Sequence, residues 1–260
     1  MLLAEVLLLM HRSNGGYRTA HGRAQSLVNG GVREATIRAR YPDAPIAHML
    51  QAEWESTTDV RVEDFWVEHP RRLRLERVEG GVEIPKLRIV EGSEWLSVDP
   101  DSGAEGSMNN PRAFLHRGFV PELLDPSELL GGLDLGVMGE SQTCGRPTIH
   151  LAGTSRQTLR ERHRSNPTLV AWYADGYELH IDAVTGVCMK AVSLLDDKAI
   201  QVVELSEIAF DEPLSDSLFR LEVPAGVDFR AAGDACARVR SAEDVAQPPV
   251  SGAGSVALTR

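Results

Sequence analysis

Cys144-Gly-Arg-Pro-Thr-Ile-His-Leu-Ala-Gly153, Tyr177-Glu-Leu-His-Ile-Asp-Ala-Val-Thr-Gly-Val-Cys-Met-Lys190 and Val202-Val-Glu-Leu-Ser-Glu-Ile-Ala-Phe-Asp-Glu-Pro213 read as successive antiparallel strands. In the middle stretch Tyr177, Leu179 and Ile181 alternate with Glu178, His180 and Asp182, the period of a strand with one apolar face and one solvent-facing polar side. Its turn, residues 182–186, puts Gly186 where a positive φ is expected. Short turns between strands build a large sheet, and the apolar face of such a sheet needs a cover. Helix or ligand can supply it, and which one does so bears on function.

Upstream, Thr19 to Val28 reads as a first strand, while Arg33 to Arg40 fits strand or helix. Val60 and Val62, then Phe65 and Val67, alternate with charged residues but change parity once, which predicts a bulge. His69-Pro70 ends that strand, and Arg71-Arg-Leu-Arg-Leu-Glu-Arg77 points Leu73 and Leu75 inward. Lys86–Val90 and Glu94–Val98 flank Glu91-Gly-Ser93 as a hairpin. Residues 99–111 and 154–167 read as polar loops, the second rich in Arg. Leu3, Val6, Leu7 and Met10 share one face of an opening helix that ends near Ser13-Asn-Gly-Gly16. Asp125-Pro126-Ser127-Glu128 starts another, with Asp at the cap and Pro at the first helical position.

The strands together with the two helices read as α+β, a large antiparallel sheet whose apolar face needs a cover. One domain is expected over 1–229, followed by a disordered tail over 230–260 that includes Gln247-Pro-Pro-Val-Ser-Gly.

A net charge of −11 over 260 residues argues against nucleic acid or an anionic membrane as a general partner. The run Met1–Met10 is interrupted by Glu5, lacks a basic n-region and is too short to span a bilayer. Neither a transmembrane segment nor a signal peptide is expected within this sequence, which favours the cytoplasm, with the envelope as the alternative if the start lies downstream of a removed signal. Cys144, Cys188 and Cys236 form no CxxC pair and are expected as free thiols, although a Cys144–Cys188 bridge is conceivable.

No Walker loop, dinucleotide fingerprint, HExxH or GxSxG motif appears in the chain. His180 and Asp182 share a strand face with no nucleophile elbow nearby, so strand alternation explains them better than hydrolase chemistry. His11, His21, His48 and His69 lack the spacing of a ligand pair. No cofactor, metal or catalytic residue is predicted. Trp54, Trp66, Trp95 and Trp172 can be core or can line a cavity, and the sequence leaves both open.

The strand–Asp-x-x-Thr-Gly–strand series over 177–190, followed by Phe210-Asp-Glu-Pro213 and Leu218-Phe219, resembles the lipoprotein-carrier superfamily (the LolA/LolB/LppX-like fold), especially its actinobacterial branch. The resemblance covers roughly residues 1–229. It implies an α+β fold, a large curved antiparallel sheet forming an unclosed half-barrel with helices covering its concave face. It also implies a non-enzymatic protein that holds an acyl chain or other apolar small molecule between sheet and helices, since apolar burial contributes ~25 cal/mol per Å². Candidate cavity residues are Trp66, Leu73, Leu75, Leu87, Ile89, Trp95, Ile149, Leu151, Tyr177, Leu179 and Ile181. The alternative is a sensor module with a protein partner, like related domains that regulate envelope-stress sigma factors.

Overall fold

The computed structural model describes residues 1–40, 58–70, 72–77, 86–92, 94–99, 103–107, 118–156, 168–171, 173–223 and 229–231. Helix α1, Leu3–Arg12, opens the chain and is followed by a 3-10 turn, Ser13–Gly15. The Glu5 carboxylate reaches back to accept from the Leu2 backbone N–H at 2.7 Å, satisfying an amide the helix start leaves open. Val6 and Met10 are fully buried, with Leu3 and Leu7 packed beside them, so the apolar stripe read from the sequence is the stripe used. Strand β1, Thr19–Asn29, leads into helix α2, Gly30–Arg40, which decides the ambiguous 33–40 segment for helix.

The strands β2 (Thr58–Glu68), β3 (Arg72–Arg77), β4 (Lys86–Glu91), β5 (Glu94–Asp99) and β6 (Gly103–Ser107) form one half of the sheet. Strand β6 falls within the 99–111 stretch expected as loop. Then come α3 (Phe119–Leu124), a 3-10 turn over Pro126–Glu128 and α4 (Leu129–Gly132). Asp125 caps that turn as expected, its side chain accepting from the Ser127 N–H at 3.2 Å. The second half follows as β7 (Leu133–Thr143), β8 (Arg146–Ser155), β9 (Gly176–Asp182), β10 (Cys188–Leu195) and β11 (Lys198–Phe210).

All pair into one sheet of order β12-β6-β5-β4-β3-β2-β1-β11-β10-β9-β8-β7, open at both ends. Every pairing is antiparallel except β12 (Phe229–Ala231) on β6, and this last strand straddles the expected domain boundary at 229. Residues 232–260 lie outside the described residues. The expected half-barrel is the fold.

The parity change in β2 is not a bulge. The β1–β2 register runs unbroken from Thr19↔Glu68 to Asn29↔Thr58. Val60 and Val62 face outward, and Glu63 takes an inward position opposite Arg77, with which it is ion-paired. An inward charge with a partner mimics a frame shift when only apolar residues are counted. The register does shift between β1 and β11, at Arg23/Ala24.

Helices cover one face of the sheet. Val6 and Met10 of α1, Phe119, Val120, Leu123 and Leu124 of α3, and Leu169, Val170, Ala171, Tyr173 and Ala174 join sheet residues such as Phe65, Leu75, Leu151 and Leu179 in one buried cluster. Tyr177 ties that cover down, its hydroxyl donating to the Ala171 and Ala174 carbonyls at 3.1 Å each. The opposite face carries a second, smaller cluster of Leu87, Ile89, Leu96, Val98 and Ala104, with Leu221 against it. A strap over residues 213–223 crosses there, held by Arg74 to the Leu218 carbonyl (2.8 Å), by Arg72 to Asp216 (2.7 Å) and by buried Phe219. That is the physical content of the Leu218-Phe219 motif.

Candidate functional site

A cleft of about 280 Å³ opens at the end of the covered face, between the C-terminal end of α1, the β2–β3 turn and the α3 region. Its floor is Val67, Pro70, Leu73, Pro121 and Leu124, and its walls are Asn14, Tyr17, Glu68, His69, Arg72, Glu122, Asp125, Ser127 and Glu128. Several of these residues are held by neighbours outside the cleft. Tyr17 packs between His69 and Phe210, with ring centroids 4.8 and 5.0 Å away. The His69 backbone N–H donates to the Arg18 carbonyl at 2.9 Å. Arg72 holds Glu68, Glu91 and Asp216 at 3.0, 3.0 and 2.7 Å, so its charge is already shared among acids. The Glu122 carboxylate accepts from the Thr168 N–H and hydroxyl and from the Leu169 N–H, at 2.9, 2.8 and 2.6 Å. Burial pushes its pKa up against those hydrogen bonds.

Two buried polar atoms in this cleft lack a hydrogen-bond partner, the Tyr17 hydroxyl and His69 Nε2. Such atoms are uncommon in native proteins, and each is a place for a ligand or water to bind. Burial raises the Tyr17 pKa, with Asp125 adding to the rise, and keeps the hydroxyl a neutral donor. Burial lowers the His69 pKa against a smaller opposing pull from Asp125. A histidine with a lowered folded pKa is neutral in both states above its unfolded value near 6.5. The unfolded chain binds the proton first as pH falls, so His69 costs the domain stability on acidification from about pH 7 to 5. Urea unfolding across that window should show the loss in the wild type and a shallower slope in His69→Gln.

The structure distributes the sequence candidates over both faces. Leu73, Leu75, Trp95, Ile149, Leu151, Tyr177, Leu179 and Ile181 are buried in the large cluster on the covered face. Of these Leu73 lines the cleft. Trp66, Leu87 and Ile89 do not belong with them. Trp66 sits opposite Arg74, whose guanidinium lies 6.0 Å from its ring, and Leu87 and Ile89 sit opposite Glu76 and Arg74 on the outer face. Both faces of β4 and β5 carry apolar residues, so alternation alone gave no way to choose the inner one. Trp54 and Trp172 lie outside the described residues.

Asp182 is also corrected. It is fully buried rather than solvent-facing, and it caps the 182–186 turn. Its carboxylate accepts from the Val184 N–H (3.0 Å), the Thr185 N–H (2.8 Å), the Thr185 hydroxyl (3.0 Å) and Arg146 Nε (2.5 Å). Those donors hold its pKa below the usual carboxylate range although burial acts the other way. Its neighbour His180 is half-buried on the outer face and stacks on His150. Burial, then the nearby His150 and Lys190, lower the His180 pKa. Cys144 and Cys188 are free thiols, exposed and buried respectively. The other cleft walls went unpredicted. Their signals were the His69-Pro70 and Asp125-Pro126 turns, which mark chain reversals on either side of the opening.

No family model matches the chain. Over 74 residues, 28% of its length, it is 39% identical to the sigma factor AlgU regulatory protein MucB of Pseudomonas aeruginosa, of which the match covers 19%. A crystal structure of MucB superposes with a TM-score of 0.50 at 17% identity, over 86% of this chain and 64% of that one. The Pseudomonas aeruginosa MucA/MucB complex gives a TM-score of 0.50 at 19% identity, over 86% and 62%. The lipoprotein LppX of Mycobacterium tuberculosis superposes at 13% identity and a TM-score of 0.44, over 82% and 98%. The chain thus spans less than two thirds of the MucB chains it matches, and what it shares with them is the fold. Among the described residues no helix is long and apolar enough to cross a membrane.

Proposed function

We propose that this domain is a non-enzymatic regulatory binding module that acts on a protein partner, with the Tyr17–His69–Asp125 cleft as part of its recognition surface. The observation that carries this reading is the filling of the covered face by the chain's own side chains. Phe65, Leu151, Leu179 and Ile181 are fully buried in one cluster with residues of α1 and α3 and with Leu169, Val170, Ala171, Tyr173 and Ala174. The 280 Å³ cleft lies just below the ~300–1,000 Å³ range of small-molecule sites. It suits one or two side chains of a peptide better than a whole lipid. The sigma factor AlgU regulatory protein MucB, which has been solved in complex with MucA, supports the reading through both sequence and fold.

A second reading follows from the apolar cleft floor, namely an acyl chain or other apolar small molecule held at Val67, Leu73 and Leu124. One experiment separates the two. Asn14 is exposed at the cleft wall, so Asn14→Trp narrows the opening without touching the core. Affinity capture from the native host should return one stoichiometric protein with the wild type and lose it with Asn14→Trp. Recovery of a stoichiometric lipid in native mass spectrometry, with no captured protein, would replace the first reading by the second.

A further inference from the structure

The outer face of the β8–β9 pair carries a side-chain cluster that neither reading of the cleft uses. His150 and His180 are directly opposed in the β8–β9 register, and Glu178 lies two residues before His180 on the same face. One ligand atom from each falls within 4.8 Å of the others. His150 Nε2 is buried without a hydrogen-bond partner and stands 3.8 Å from the Glu178 carboxylate, too far for a hydrogen bond. His180 Nδ1 is engaged by the Ser141 hydroxyl at 3.0 Å, and Ser141 is in turn held by Thr148 at 2.8 Å. Histidines that bind metals use one ring nitrogen for the ion and fix the other by a hydrogen bond of this kind.

We infer that His150, Glu178 and His180 form a surface site for a first-row divalent cation, with Zn²⁺ the best fit to two imidazoles and one carboxylate. Water would complete the tetrahedron, as in sites with three protein ligands. The nearby cation, Lys190, is already paired with Glu204 at 3.1 Å and does not claim Glu178. Arg146 is likewise paired with Asp182.

Binding has a geometric requirement. The two rings are stacked with centroids 4.7 Å apart and planes 9° from parallel, so their in-plane lone pairs lie in nearly parallel planes that do not meet at one ion. At least one ring must turn about its Cβ–Cγ bond for both to point at one ion, and that torsion is broad in histidine. Tetrahedral bonds of about 2.0–2.1 Å also require the ligand atoms to close by roughly 1.4 Å from their widest separation of 4.8 Å. The cation should therefore unstack the pair, which distinguishes this site from loose ion pairing with Glu178.

The test is Zn²⁺ titration of the whole domain against a colorimetric chelator, with side-chain NMR of the histidines. One equivalent should bind, shifting both His150 and His180 resonances. Ser141→Ala should weaken binding about tenfold, the cost usual for losing a group that orients a ligand. His150→Ala and His180→Ala should weaken it more, and His21→Ala not at all. Glu178→Gln preserves size and keeps the test valid if a histidine variant misfolds. Absence of binding overturns the inference, as does binding that survives the double variant His150→Ala/His180→Ala. So does binding lost in Cys144→Ser with both histidines intact.

Discussion

Asp182→Ala should cost the domain about 3 kcal/mol in urea unfolding, mostly through turn amides left without an acceptor. The carboxylate is fully buried and has four donors. Removing it strands the Thr185 amide and hydroxyl, both buried inside the 182–186 turn, while the Val184 amide is nearer solvent, and each unmet buried group costs about 1–3 kcal/mol. The Arg146 pair contributes less than its 2.5 Å separation suggests, because the arginine is 31% exposed and screened by water. Asp182→Asn separates the two effects, since it keeps an oxygen for the turn and loses the charge. Its cost should be about 1 kcal/mol, near the net value of one hydrogen bond. Equal losses for Ala and Asn would mean that the charge pair, not the turn, carries the stability.

The same residue has a pH signature. Its folded pKa lies below the ordinary carboxylate value. A carboxyl of that kind contributes stability above its unfolded pKa, near 3.9, and loses it as pH falls through the folded one. Between about pH 4 and 2 the wild type should lose stability that Asp182→Asn never had. The His69 contribution acts higher, near neutral pH, so the two windows are separable in one titration.

The strands around Asp182 were legible because they alternate cleanly and end in turn residues. Tyr177, Leu179 and Ile181 face the cover, as their spacing indicated. Strand β7 escaped although Leu133, Leu135 and Val137 alternate, because Gly136 and Gly139 interrupt the pattern and the register shifts between Val137 and Gly139. Helix α3 escaped because Gly118 precedes it with no capping side chain. The cleft was harder still. Tyr17, His69 and Asp125 come from three distant segments, and nothing in the local pattern of any one points to the other two. Local periodicity reports which face a residue takes, while a cleft depends on where three elements stop.

Gly186→Ala should cost more than the same change at Gly92, and the difference measures how firmly α1 is seated. Both glycines have a positive φ, +78° and +63°. That conformation alone costs an L residue roughly 1–2 kcal/mol. At Gly92 an added Cβ meets nothing within 4 Å, so strain is the whole effect. At Gly186 the Cβ would lie 2.3 Å from the Leu9 carbonyl oxygen and 2.7 Å from its carbon. Backbone cannot rotate away as a side chain can, so either the 182–186 turn or α1 must shift. Moving α1 loosens Val6 and Met10, both fully buried. The total should reach about 3 kcal/mol or more, in the range of severe core disruptions. Asn14 and Tyr17 follow α1 directly, so the displaced helix should also distort the cleft and weaken capture of the partner. Equal losses at Gly92 and Gly186 would show that α1 gives way without cost and does not serve as a fixed wall of the site.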